Sequence, residues 1–526
     1  MKRRICLLFI TSLWGTMSAS GQSFNPKKLR EATIASLHDA MQRGKLTATQ
    51  LVQLYLDRIA AYDKQGPFIN ALIMVNPKAL AEAHRLDSLY EVTGKFVGPL
   101  HGIPVIVKDN YDTYDMPTTN GTLAMKTSIP PDDAYVVRKI REAGAIIIAK
   151  SNLAEFAQSG NFSVSSILPG YSRNPYDTRR TTAGSSGGTA AAVAADFGTI
   201  GLGTDTGSSI RGPAAHQSLV GFRCTLGLIS RDGIAPLALT NDTGGPICRT
   251  VEDAVKVLDV IAGYDKADSV TRQSQGKIPA SYVSFLDKNG LKGARIGVFR
   301  QLCAPAKADS QVVALFNHAL DELRAAGATI IDNVRVADVD TINKSYDTIP
   351  QLRRDFNVYL ATLGPNAPHK TLASIIKSKQ YHPFLEKFLL DANADTLAPE
   401  RHKGWQKNLA LRERLRQLLL RAMDSSQVDV LVYPSFSYPP RFIGDLNTPS
   451  GTNNNALAPP TGFPAFTVPM GFTYGNLPAG LQFFGRPYSE PTLIKLCYAY
   501  EQATNHRIPP ASTPPLQKRK RRSGRV

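Results

Sequence analysis

Cysteine is scarce in this chain. There are five in 526 residues, with no Cys-x-x-Cys pair and no histidine partner at ligand spacing, so no zinc site or other metal centre is indicated. Of Cys224, Cys248, Cys303 and Cys497, two could form a bridge, with Cys224 to Cys248 closing the shortest loop. Equally, all four could stay reduced inside a large core. Also missing is the run of about 20 apolar residues that a membrane-spanning helix needs; the stretch from Ile5 to Met17 falls short. No heptad or internal repeat is present. Nor is there a basic stripe interleaved with aromatics of the kind that tracks phosphates. Half of the net charge of +18 sits at the two ends, in Lys2 to Arg4 and Lys518 to Arg525, which speaks against a nucleic-acid partner.

What is present is material for a large core, with 43% apolar and 20% charged residues. The basic Lys2 to Arg4, the apolar Ile5 to Met17 and the small Ser18, Ala19 and Ser20 follow signal-peptide grammar. Residues 1–20 are therefore expected to be an export leader cleaved near Ser20, giving a periplasmic or secreted protein with no stable membrane insertion. Cys6 precedes the apolar run, so the layout for lipid attachment is not met. Residues 21–508 read as one domain, and the Pro-rich basic stretch 509–526 as a disordered tail.

Within the domain, Thr47 to Gln50 spells a capping box ahead of a helix over about 47–62. Strand and helix patterns then alternate: Ile103 to Val107, a helix at about 132–143, Ala145 to Ala149, a small-residue helix Gly188 to Ala195, Thr199 to Gly203, and a helix Val251 to Ala262. Such alternation argues for a mostly parallel arrangement. A second set extends it: strand Ala294 to Phe299, a helix at about 309–325, strand Thr329 to Ile331 and strand Val428 to Tyr433. The expected fold is α/β, a single twisted mixed sheet with helices on both faces. Residues 340–424 read as helical, either a surface-packed subdomain or a lid over a substrate tunnel. Phe436 to Gly471, rich in Pro, Gly and Asn, reads as loops.

Three segments carry chemistry. Gly102-Ile-Pro-Val-Ile-Val-Lys108 puts a lysine at the end of an apolar strand, at the edge where open α/β sheets bind ligands. Taken alone, it reads first as a strand-end ion pair between Lys108 and Asp109 or Asp112. Ala183-Gly-Ser185-Ser-Gly-Gly188 is a glycine-rich loop entering a helix, and taken alone it could be a tight turn or an anion site; no Gly-Lys-Ser/Thr follows that would make it a P-loop. Thr204-Asp-Thr-Gly-Ser-Ser209-Ile-Arg211 places a second serine 24 residues on. Backbone N–H groups around Thr206, Gly207 and Ser208 could form an oxyanion hole, and Asp205 with Arg211 an ion pair beside it. A serine needs a base to attack, and lysine can be that base only when burial or neighbouring charge keeps it neutral.

Together these segments resemble the amidase signature family, in which a G-I-P-x-x-x-K-D strand, a G-G-S-S-G-G loop and a D-x-G-G-S-[IV]-R-x-P segment occur in this order. The resemblance extends through Ala145 to Glu155, Gly221 to Gly227 and Phe463 to Phe484. It implies an amidase working without cofactor on a small-molecule or peptide amide. Ser209 would be the acyl-enzyme nucleophile, Lys108 the base and Ser185 the relay between them, with the Gly184-Ser185 peptide cis. Two positions depart from the pattern. Ala183 stands for a glycine, where only a small side chain is expected to be needed, and Ser208 for the glycine beside the nucleophile, which leaves the oxyanion donors open and raises Ser208 as a competing nucleophile. Two rival functions are carried. One is the amide-cleaving subunit of a tRNA-dependent amidotransferase. The other is an esterase of the α/β-hydrolase type with Ser186 at the centre of G-x-S-x-G, which requires a strand just before it. Which amide is cleaved, and the oligomeric state, are not legible in the residues.

Overall fold

Short aliphatic runs set the sheet. In the computed structural model, which describes residues 24–158, 165–332, 334–445 and 447–516, eleven strands join in one sheet: β1 (Leu72–Val75), β2 (Pro104–Lys108), β3 (Ile146–Ser151), β4 (Ile200–Asp205), β5 (Val220–Arg223), β6 (Thr243–Cys248), β7 (Arg295–Val298), β8 (Thr329–Ile331), β9 (Val430–Pro434), β10 (Ala465–Thr473) and β11 (Leu477–Phe484). Their order is β1-β3-β2-β4-β6-β5-β10-β11-β9-β7-β8. Strand β2 is parallel to β3 and β4, and β7 is parallel to β8 and β9. The remaining pairings are antiparallel. The sheet is mixed, as read, but the parallel strands occupy only its flanks. The centre alternates because β4, β5 and β6 follow one another without a long crossover helix. The leader read in residues 1–20 and the basic run after residue 516 lie outside the described residues.

Strands β2, β3 and β4 are buried along their whole length, as strands covered on both faces must be. The helix Gly187–Ala194 is likewise buried on every side. Its small residues let it lie close to the sheet; at Gly188 a Cβ would collide with the carbonyls of Asn152 and Ala71. All four described cysteines are free and buried, which settles the choice left open by the sequence in favour of reduced thiols. No helix among the described residues is long and apolar enough to cross a membrane.

Two expectations change. The stretch Phe436 to Gly471 is not all loop, because Ala465 onward forms β10, hairpinned to β11. Pro469 and Gly471 lie within this strand, and the register shift between them absorbs both. The tail, expected to hang free from residue 509, is tied down as far as Pro514. Arg30 bonds the carbonyl of Pro510 at 3.1 Å, Arg58 those of Thr513 and Pro514 at 3.0 Å each, and Ser512 Oγ that of Pro175 at 2.6 Å.

Candidate active site

Because β2 and β4 are parallel neighbours, Lys108 and Thr204 end up at the same edge of the sheet. Lys108 Nζ lies 2.7 Å from Ser185 Oγ and 2.7 Å from Thr204 Oγ1. Thr204 Oγ1 also accepts from Asn110 Nδ2 at 3.1 Å. Lys108 and Ser185 are both fully buried. Burial pulls the lysine down to about 7, against the opposing pull of Asp205 and Asp242. The strand-end ion pair suggested by the local sequence does not form with Lys108. Asp109 pairs instead with Lys150 on β3, at 3.2 Å, and the Asp112 carboxylate accepts from the Tyr359 hydroxyl at 2.7 Å. No carboxylate is bonded to Lys108, and this lets its amine be neutral near pH 7.

Ser185 follows a cis Gly184-Ser185 peptide, and its carbonyl accepts from Ala154 N at 3.0 Å. Ala183 has φ +55°, so this position needs the left-handed region as well as a small side chain. Glycine is comfortable there and alanine is not. Ser186 Oγ faces the backbone of Thr204, at 3.2 Å from its carbonyl and 3.3 Å from its N–H. It pins the loop to β4, lies fully buried and follows no strand, which removes the elbow reading.

The loop carrying Ser209 is held by two buried arginines. Arg211 Nε and Arg223 Nη1 reach the Asp205 carboxylate at 3.1 and 2.9 Å. Burial alone would raise that carboxyl, but the two guanidinium groups hold it at about 2. Their further bonds orient the backbone. The carbonyl of Asp205 is bound by Arg223, that of Gly207 by Arg211 Nη2 at 2.6 Å, that of Ser208 by Gly212 N at 2.7 Å, and that of Ser209 by Ser186 N at 3.2 Å. In a trans peptide the next N–H points opposite to the carbonyl. Anchoring these oxygens therefore turns the N–H groups of Thr206, Ser208 and Ser209 the other way. Among the described residues, the N–H groups of Gly207, Ser208 and Ser209 have no acceptor. Ser208 is not among the residues with positive φ, so its Cβ is accommodated without strain. At Gly207 a Cβ would stand 2.5 Å from Asn455 Oδ1.

Ser209 and its neighbours Thr206, Gly207 and Ser208 line a cavity of about 960 Å³. Lys108 and Ser185 do not reach its wall. More of the lining comes from the helix Lys403–Ser425, through Trp405, Asn408, Leu409, Arg412 and Arg416, and from residues 346–349 and Gln351. This helix therefore shapes the cavity. The helices Leu352–Thr362, Leu372–Ser378 and Glu386–Ala394 pack instead into a core of their own with Phe156 and Met125. The reading of a packed helical subdomain describes these three helices, while the helix Lys403–Ser425 lines the cavity. Sequence reasoning gave no role to Thr204, Asn110 or Arg223. Thr204 and Arg223 stand inside segments already singled out, but nothing local marks a threonine as a lysine's partner.

The Amidase family model matches residues 50–494. A probable amidase of Arabidopsis thaliana is 34% identical over 505 residues, spanning 92% of each chain. One subunit of the glutamyl-tRNA(Gln) amidotransferase of Moorella thermoacetica is 31% identical and covers 90% of this chain and 97% of its own. The solved structure of native peptide amidase from Stenotrophomonas maltophilia superposes with a TM-score of 0.83 at 37% identity, covering 91% of this chain and 98% of its own. Fold and likeness define the class as hydrolases acting on amide C–N bonds. The chain belongs to the Amidase family, the amidase signature enzymes.

Proposed function

We propose that the protein hydrolyses carboxylic amides, peptide C-terminal amides among them, through an acyl-enzyme on Ser209. The observation that carries this reading is the buried Lys108 amine 2.7 Å from Ser185 Oγ, depressed to about 7. As Ser209 Oγ attacks the amide carbon, its proton passes to Ser185 and that of Ser185 to Lys108. The oxyanion is received by the unpaired N–H groups of the Gly207 to Ser209 loop, each worth about 3 kcal/mol of barrier. Lys108 then returns the proton through Ser185 to the departing nitrogen, the C–N bond breaks, and ammonia or amine leaves. Water attacks the ester by the same relay in reverse and frees the acid. The peptide class is supported by the likeness to a peptide amidase and by Gln351, a cavity-lining residue whose buried Oε1 lacks a partner and suits a substrate N–H.

The test is covalent trapping. A sulfonyl or phosphonyl fluoride should stop turnover and mark Ser209 in a peptide map. Label on Ser186 or Ser208 instead, or full activity in Ser209→Ala, would remove the mechanism. The alternative of an amidotransferase component, supported by the 31% likeness, predicts no turnover of free amides by the chain alone, whereas our reading predicts turnover without ATP or tRNA.

A further inference from the structure

We propose that the part of the cavity lined by the helix Lys403–Ser425 is a carboxylate subsite, in which Arg412, aided by Arg416 and the Tyr346 hydroxyl, receives an anionic group on the acyl half of the substrate. The helix Lys403–Ser425 presents residues 405, 408, 409, 412 and 416 to the cavity, a spacing of three and four that forms one helical face. Two of these are arginines. The guanidinium of Arg412 bonds only neutral oxygens: Asn241 Oδ1 at 2.7 Å, Thr240 O at 3.0 Å and Pro459 O at 3.2 Å. The described residues hold every Asp and Glu of the chain, and none of them forms an ion pair with Arg412. Burial, then the neighbouring Arg416, lower it to about 10, so it remains a cation at neutral pH.

Tyr346 gives an independent sign. Its hydroxyl is buried, lines the same cavity and has no partner. It lies within the field of both arginines, whose charges oppose the upward pull of burial on its pKa. The acidic group at this wall is already engaged, since Asp347 is paired with Lys407 at 2.7 Å. Arg416 meets the exposed Glu413 through one contact of 3.4 Å, which leaves its charge to assist Arg412. What is left is a half-buried cation fixed by three neutral oxygens beside an unused hydroxyl donor. A carboxylate would satisfy both, and arginine binds carboxylates in a planar, charge-assisted manner.

This subsite rests on the Ser209 reading, since a peptide C-terminal amide releases only ammonia and leaves every other group in the acyl half. The test uses N-acetylated dipeptide amides that carry Glu, Leu or Lys at either residue before the amide. For the full chain, kcat/KM should be about tenfold higher or more for the best Glu substrate than for its Leu counterpart, and lowest for Lys. The Glu-to-Leu ratio should collapse towards one in Arg412→Met and fall partway in Tyr346→Phe and Arg416→Met. Because each variant is compared with itself, a general loss of activity does not hide the result. Should Arg412→Met not fold, the other two variants carry the test. Equal turnover of the Glu and Leu amides by the unaltered chain, or a ratio that survives the substitutions, overturns the subsite. Failure to cleave any of the amides would instead overturn the Ser209 reading.

Discussion

The two walls of the cavity are built differently. Around Ser209 the carbonyls and side chains are tied down: Asp205 between two arginines, the carbonyls of residues 207, 208 and 209 each bound, Lys108 and Ser185 sealed from solvent. Elsewhere in the lining, the helix Lys403–Ser425 and residues 346–349 and Gln351 are partly exposed, and Tyr346 and Gln351 carry polar atoms without partners. Stabilising a developing charge needs donors that do not move. Holding a substrate chain needs groups left free to bond to it. The first wall is fixed by its own hydrogen bonds, and the second is completed by what it binds.

Breaking the fixed wall should have the largest effect. Asp205→Asn leaves two buried guanidinium groups without their carboxylate, and should cost roughly 3–5 kcal/mol of stability and, through a loosened Ser209 loop, about 100-fold or more in kcat. Thermal unfolding and initial rates measure both. A variant as stable and active as the parent would mean that the arginines do not set the loop. The carboxyl of Asp205 in the folded chain, at about 2, lies below its usual 3.8. Its contribution is therefore complete above about pH 4 and is lost as pH falls through about 2.

On the open wall the same kind of truncation should act on binding. Trp405→Ala or Leu409→Ala removes apolar surface from the cavity and should raise KM about tenfold while kcat changes little. A fall in kcat with KM unchanged would erase the distinction between the two walls. The smallest effect belongs to the serine loop. Ala183→Gly relieves an alanine held at φ +55° and, after the entropy cost of glycine, should add roughly 0.5–1 kcal/mol of stability without altering the rate. A loss of stability would show that the alanine methyl makes contacts worth more than the strain.

The same division explains what the sequence reveals. The capping box at Thr47 forms with Gln50 as spelled, both bonds at 3.1 Å, because it needs only residues three apart. Lys108 and Ser185, which the structure brings to 2.7 Å of each other, were marked in the sequence by three motifs in a fixed order, since each motif alone read as a strand end, a tight turn or an ion pair. Local spacing misled at Lys108 itself, where Asp109 looked like its partner. The carboxylate turns instead to Lys150, on a strand 41 positions further along. The β10–β11 hairpin hid behind Pro469 and Gly471, whose cost is absorbed by a bulge that only the pairing reveals. The role of Arg412 was illegible because it depends on a loop more than 150 residues away, at Asn241. Composition alone gives the helix an arginine-rich face, which reads as ordinary solvated surface.

The central claim is that Lys108 acts as a neutral base buried against Ser185. Its most direct test is the pH dependence of kcat/KM on an uncharged amide, which reports the ionisation of the free enzyme. The account predicts a rate that rises with increasing pH through an apparent pKa of about 7 and a Lys108→Met variant that retains almost none of it. A rate that stays flat from about pH 5.5 to about pH 9, or a Lys108→Met enzyme that keeps its activity, would contradict it.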